Sequence, residues 1–230
     1  MTINEIVDHA VASGRNLLFE DEAGALLKAA GIPVNSCRVA SDEDEAVQVA
    51  KETGFPVALK VRSRTVTHKT DAGGVRLGLA DEEAVRLAYR GIMEKVRMID
   101  PESQVTVQPM ASPGVELLVG MTTDPQFGQV VAFGLGGTLV ELFNDITYRQ
   151  VPLLKKDATD MINSIKGSAV LKGYRGRPPV DINALTGIIL KVSRLVEKEP
   201  RIKEIDLNPV FAYPQGMLAV DSRIVVCGNP

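Results

Sequence analysis

Apolar residues recur along this 230-residue chain with two different periods, and the changes between them mark out its elements. From Asp21 to Ala30 the spacing is helical, and the run stops at Gly31 with Pro33 just beyond, a common helix-stop arrangement. Ser36 to Ala40 reads as a short strand. Ser41 then offers a cap for the helix DEDEAVQVAKETG, which has acids in its first turn and Lys51 and Gly54 near its end. Phe55 to Val61 alternates: Val57, Leu59 and Val61 share one side, Ala58 and Lys60 the other, as in a strand buried on one face only. Val75 to Leu79 predicts a returning strand, and Glu82 to Met98 a helix with Val85, Ala88, Tyr89, Ile92 and Val96 on one stripe.

The middle of the chain turns to β. Gln104 to Met110, Val115 to Thr122 and Gly128 to Phe133 are Val-rich runs separated by Pro and Gly turns. Asp181 to Glu199 predicts a long helix, and two strands close the chain, Ile202 to Tyr213 and Met217 to Val226. Several antiparallel pairs and no doubly wound βαβ series imply a mixed α/β, or α+β, protein. The expected organisation is an N-terminal helical segment over residues 1–20, a smaller lobe over 21–110 and a larger one over 111–230.

Composition narrows the function classes. A 45% hydrophobic content can fill a substantial core, and a net charge of -3 with interspersed signs gives no reason to expect nucleic acid as a partner. The start lacks the basic patch and apolar run of a secretory signal, and no apolar segment is long enough to span a bilayer. Cys37 and Cys227 stand alone, so neither a disulfide framework nor a zinc site is expected, and a reduced cytoplasmic protein fits.

Three places could carry chemistry. In EIDLNPV, Glu204, Asp206 and Asn208 alternate and so share a strand face. If Tyr213-Pro214-Gln215-Gly216 is the tip of a hairpin, its centre places Asn208 directly opposite Asp221, where Cβ atoms lie about 5 Å apart. Two oxygen donors at that separation can grip a hard cation such as Mg²⁺ while leaving room for water and phosphate oxygens. A solvated hairpin face would show the same spacing. In the second place, Lys60 leads into THKTDAGGV, with His68, Lys69 and the Gly73-Gly74 pair. Glycines allow close approach of backbone to phosphate, lysine supplies charge, and imidazole can carry a phosphoryl group; a plain surface hairpin is the alternative. Thirdly, GYRGRPPVD puts Arg175 and Arg177 on a loop before a helix, as anion contacts or as ordinary surface charge. The glycines of FGLGG, Phe133 to Gly137, lack dinucleotide-fingerprint spacing and suit a tight turn or an anion loop, and the following TLVELFND reads as strand or helix equally well.

The stretches GFPVALKV, THKTDAGGVRL, VQPMASPGVELLVGMTTDPQFGQVVAFGLGGTLVEL, LKGYRGRPPVD and EIDLNPV through AVDSRIV, in this order, resemble the ATP-grasp domain of ADP-forming acyl-CoA synthetases. The form they are most similar to is the separate β subunit of ADP-forming acetate–CoA ligase. The resemblance implies an ATP-grasp fold whose two lobes hold the nucleotide. It also implies that Lys60, Lys69, Gly73 and Gly74 contact phosphates, that Gln108, Pro109 and Met110 form the adenine-side hinge, and that Glu116 lies near adenine or ribose. Asn208 and Asp221, with Asp206 close by, match the Mg²⁺ ligands of the related succinyl-CoA synthetase β subunits. The histidine of the family's HK[ST]D motif is a phosphoryl carrier, which falls on His68. Arg64 stands where a proline is usual, Thr70 where serine is commoner and Ala72 where valine is common.

The implied reaction is acyl-CoA + ADP + phosphate ⇌ acid + CoA + ATP, with acyl chemistry on a CoA-binding α subunit in an α2β2 assembly. Rival readings are a self-contained ATP-grasp carboxylate ligase that never phosphorylates its own histidine and a nucleotide-sensing regulatory subunit. Intact Lys60, His68, Asn208 and Asp221 speak against the latter.

Overall fold

Thr2 opens helix α1 (Ile3–Ala12) with a reciprocal cap: its hydroxyl accepts the Glu5 N–H at 3.3 Å, and the Glu5 carboxylate accepts the Thr2 N–H at 2.7 Å. Helix α2 (Glu20–Ala29) starts on three acids and is closed by Gly31 at φ 73°, where the Ile32 N–H reaches back to the Leu27 carbonyl. After β1 (Arg38–Ala40), helix α3 (Glu43–Thr53) is capped by Asp42 and not by Ser41. The Asp42 carboxylate accepts the Glu45 N–H at 2.8 Å, and an anion there also suits the positive helix start.

Strand β2 (Val57–Arg62) departs from the one-sided reading. It is buried on both faces, with Lys60 only 6% exposed. It pairs antiparallel with both β3 (Val75–Leu79) and, across from it, β4 (Gln104–Pro109), giving a four-stranded order β1-β4-β2-β3. Val57, Leu59 and Val61 join Val105 and Val107 in a core with Val47 and Ala50 of α3 and Val85, Tyr89 and Ile92 of helix α4 (Glu82–Val96). Alternation alone reports which side chains share a face; it is silent on whether the polar face is covered.

The remaining sheet is built from β5 (Val115–Asp124), β6 (Gly128–Leu135), β7 (Ile146–Gln150), β8 (Ile202–Ala212), β9 (Met217–Ala219) and β10 (Ser222–Val226). Its order is β10-β8-β5-β6-β7, with β9 also on β8, and every pairing is antiparallel. Helices α5 (Lys155–Ser164), α6 (Ser168–Leu171) and α7 (Ile182–Lys198) follow β7, and α7 packs on β5 and β6. Asp181 caps α7 by accepting the Ala184 N–H at 2.9 Å, and its second oxygen accepts the Gly216 N–H at 3.0 Å, tying the helix start to the β8–β9 turn. The predicted last strand is therefore two, β9 and β10, interrupted at Val220 and Asp221.

These elements belong to a computed structural model that describes residues 1–66, 69–137 and 145–228. The chain divides into one unit of Met1–Leu18, Ala25–Val34 and Pro113–Pro230 and another of Phe19–Gly24 and Asn35–Ser112. No described helix is long and apolar enough to cross a membrane.

Two local features fix backbone positions around the candidate chemistry. Gly136 lies so close to β5 that a Cβ would meet the Leu117 backbone at 2.5 Å, while its N–H donates to the Glu116 carbonyl at 2.7 Å. Asp100, 8% exposed, accepts the Ser63 hydroxyl at 2.6 Å, the Arg64 N–H at 3.0 Å and the Glu102 N–H at 3.2 Å. A proline at position 64 would have no N–H to donate. The Ser63 hydroxyl, followed by the two backbone N–H groups, holds the Asp100 carboxyl below its ordinary value against the opposing effect of burial.

Gly136→Ala is expected to destabilise by ~2–3 kcal/mol in chemical denaturation, because backbone cannot move aside as a flexible side chain would; an unchanged midpoint would contradict the close approach. A carboxyl whose folded pKa is depressed stabilises fully above its unfolded value and loses that contribution as pH falls through the folded one. Asp100→Asn is therefore expected to destabilise by ~1–2 kcal/mol at pH 7. Its deficit against the parent should shrink as urea titrations move below the ordinary aspartate value of about 3.9.

Candidate functional site

Burying an ammonium requires a nearby anion, and β2 receives one from the first residue of α2. The Lys60 Nζ donates to Glu20 Oε1 at 2.5 Å, with both side chains almost wholly buried. Gln108, which faces Ala58 on the β2–β4 ladder and so lies diagonal to Lys60, is 2% exposed and donates its Nε2 to the same oxygen at 2.7 Å. Lys69, which follows His68 in the chain, bonds the other carboxylate oxygen. Two lysines and a carboxamide thus converge on one carboxylate. Half-buried Cys37 borders the cluster: burial first, then the Glu20 and Asp21 carboxylates, push its thiol up to about 12, against hydrogen bonds with Thr106 and Gln108. Asp21 is itself occupied by Arg62 at 2.8 Å, whose guanidinium stacks 3.7 Å from the Phe19 ring centre.

His68 lies outside the described residues, so its expected carrier role is neither placed nor tested by geometry. Of its loop, Lys69 to Val75 is described. Gly73 takes φ 65°, and its N–H donates to the Thr70 carbonyl; the Gly74 N–H donates to the Lys69 carbonyl at 2.7 Å. A Cβ on Gly74 would stand 2.4 Å from Val61. The glycine pair therefore closes a tight turn against β2, with its N–H groups engaged within the loop in this conformation. At the end of β4 the Pro109 carbonyl accepts from Asn35 at 2.9 Å and the Met110 N–H donates to the Pro56 carbonyl at 3.1 Å, while the Met110 side chain is 38% exposed.

In the other unit the hairpin register matches the expectation drawn from the turn. Val210 faces Ala219, and Leu207 faces Ser222, so the same register on both sides of the gap sets Asn208 opposite Asp221. Val220 donates to the Pro209 carbonyl at 3.0 Å between them. Asn208 Oδ1 accepts the Gly137 N–H at 3.1 Å, and Gly137, at φ 63°, leaves the space that the exposed Glu116 carboxylate occupies. Glycines in FGLGG thus bring the β6 end onto Glu116 and Asn208. Burial, then Glu204 and Asp221, raise the Asp206 carboxyl above its ordinary value, with Arg223 opposing. A cation would relieve that crowding, and oxygen donors from Asn208 and Asp221 suit a hard ion such as Mg²⁺. No three His, Cys, Asp or Glu side chains cluster around a metal position among the described residues.

Arg175 and Arg177 are both exposed on their loop. Arg175 has φ 49° and its guanidinium lies 5.4 Å from the Tyr174 ring centre, while the Arg177 N–H donates to the Tyr174 carbonyl. The residue that sequence reading passed over is Glu20. Its only local signal is an acid-rich first helical turn, which any solvated helix shows; the partner that gives it meaning lies 40 positions away.

Comparison with known proteins identifies the family. The family of the ATP-grasp domain matches residues 9–226. The β subunit of ADP-forming acetate–CoA ligase I from Pyrococcus furiosus is 45% identical over 225 residues, covering 96% of this chain and 97% of that one. The ADP-forming acetate–CoA ligase II of Archaeoglobus fulgidus is 42% identical over 91% of this chain, which spans only 30% of that longer protein. Among solved structures, Ca. Korarchaeum cryptofilum dinucleotide-forming acetyl-coenzyme A synthetase 1, with coenzyme A, Mg-AMPPCP and a phosphohistidine segment pointing towards the nucleotide site, superposes with a TM-score of 0.86 at 44% identity, covering 98% of this chain and 100% of that one. By its family model and by its sequence, the chain belongs to the ATP-grasp family, among the β subunits of ADP-forming acetate–CoA ligases.

Proposed function

We propose that this chain is the nucleotide-binding β subunit of a cytoplasmic ADP-forming acyl-CoA synthetase that moves a phosphoryl group through His68. The observation that carries the reading is the convergence of Lys60, Gln108 and Lys69, the residue directly after His68 in the sequence, on the buried Glu20 carboxylate. Phosphoryl transfer asks little covalent chemistry of a protein beyond placing groups and neutralising charge. Lys60 and Lys69 supply that charge to the phosphates, and Gly73 and Gly74 give the loop its tight turn. Gln108, Pro109 and Met110 border the base, with Glu116 towards adenine or ribose. Arg175 and Arg177 are available to further anionic groups.

The CoA-binding α subunit converts acyl-CoA and phosphate to acyl phosphate with release of CoA. The phosphorus–oxygen bond to the acyl group then breaks, freeing the carboxylate, and the phosphoryl group passes by way of the α subunit's histidine to a nitrogen of His68. Attack by the terminal oxygen of ADP breaks the phosphorus–nitrogen bond, yields ATP and returns the imidazole. Asn208 and Asp221, with Asp206 nearby, would hold Mg²⁺, which would supply positive charge to the phosphates. The separate Pyrococcus furiosus β subunit and the longer Archaeoglobus fulgidus ligase support an α partner, and the assembly proposed here is α2β2.

Incubation with γ-labelled ATP and Mg²⁺ is expected to leave an acid-labile, base-stable label on the chain, abolished by His68→Ala; a label that survives this substitution would favour a ligase that never uses its own histidine. ATP formation from acetyl-CoA, ADP and phosphate is expected only when the α subunit is added. Turnover by the chain alone would defeat the division of labour.

A further inference from the structure

We propose that Glu20 is a positioning residue that occupies the phosphate position, aligning Lys60, Lys69 and Gln108 before nucleotide arrives and yielding them when it does. The inference rests on the nucleotide-binding reading above and deepens it. The Glu20 oxygens meet side chains of β2, β4 and the loop between β2 and β3: Oε1 accepts from Lys60 at 2.5 Å and from Gln108 at 2.7 Å, and Oε2 accepts from Lys69. A planar anion that receives two ammonium groups and a carboxamide has the donor set a phosphate would require.

A helix-terminal acid tied to one exposed lysine would be ordinary surface chemistry. Here the carboxylate and Lys60 are both nearly inaccessible to water, and the same oxygen is shared by two donors. Lysines so engaged cannot give their full charge to a second anion, because two anions within a few ångströms in a poorly solvated place repel strongly. Phosphate binding therefore exchanges one anion for another. The lysines stay oriented throughout, and nucleotide affinity is set by the difference between the two anions rather than by the whole attraction of two buried cations.

Glu20→Gln keeps the shape and removes the competing charge. The full-length variant is expected to melt at a lower temperature without ligand, since two ammonium groups then face each other. Its stabilisation by saturating ATP with Mg²⁺ should exceed the parent's, and the ATP dissociation constant from calorimetry should fall by roughly tenfold, the ratio for about 1.4 kcal/mol. A merely structural carboxylate would give the lower melting temperature without tighter binding. ATP affinity in Glu20→Gln equal to or weaker than the parent's overturns the proposal. Glu20→Asp, which keeps the charge but shortens its reach, is expected to bind ATP with intermediate affinity, and decides the matter alone if Glu20→Gln does not fold: affinity no tighter than the parent's overturns the proposal. A parent chain that ATP neither binds nor stabilises would instead defeat the nucleotide reading itself, and this inference with it.

Discussion

The ammonium of Lys60 sits on a strand covered on both faces, and a charge in that position demands an anion. Much of the second unit's arrangement follows from meeting that demand. The first residue of α2 must lie over the polar face of β2, so that the Glu20 carboxylate reaches Lys60 and Gln108 together. The opposite face is free to be wholly apolar, and Val57, Leu59 and Val61 fill it against α3 and α4. One strand thereby serves as the centre of a hydrophobic core and as the mount for a cation. A site built on a strand fixed from both sides is held more rigidly than one built on a loop.

The metal-binding candidate in the other unit depends on a different constraint, constancy of register. The pairing of β8 with β9 and β10 keeps one register from Ala212–Met217 to Glu204–Val225, on either side of Asp221, and a slip of one residue there would turn Asp221 to the opposite face from Asn208. The close approach of Gly136 to Leu117 fixes the end of β6, and through Gly137 it fixes the oxygen of Asn208. Glycine there is a spacing element. Its role is to let backbones touch, and the phosphate-cradling role suggested by a glycine-rich string is not needed to explain it.

Periodicity made α3, α4, α7 and most strands legible, because each has an apolar stripe long enough to declare its period. It missed β7, α5 and α6. Most of β7 is exposed, so it lacks alternation, and α5 buries only Ala158, Met161 and Ile162 among charged neighbours. The Asn208–Asp221 pairing was readable because a hairpin turn carries its own symmetry. Glu20 was not, because a long-range ion pair leaves no trace in the spacing of either partner. Lys60 was identified from its strand, yet its burial depended on Glu20 arriving beside it, a tertiary event. Ser41 and Asp42 were both plausible caps by type, and which one closed α3 depended on where the first helical turn began.

Cys37 draws a last consequence from the same carboxylate. With its thiol held protonated far above neutral pH, it is a poor nucleophile, and peroxide or other oxidants that attack thiolates find little to react with. A sulfenic or sulfinic group beside Gln108 would bring a new acceptor, or a new charge, to the lysine cluster. Burial first, and the Glu20 and Asp21 carboxylates after it, thus keep the sulfur beside the lysines in its unreactive thiol form.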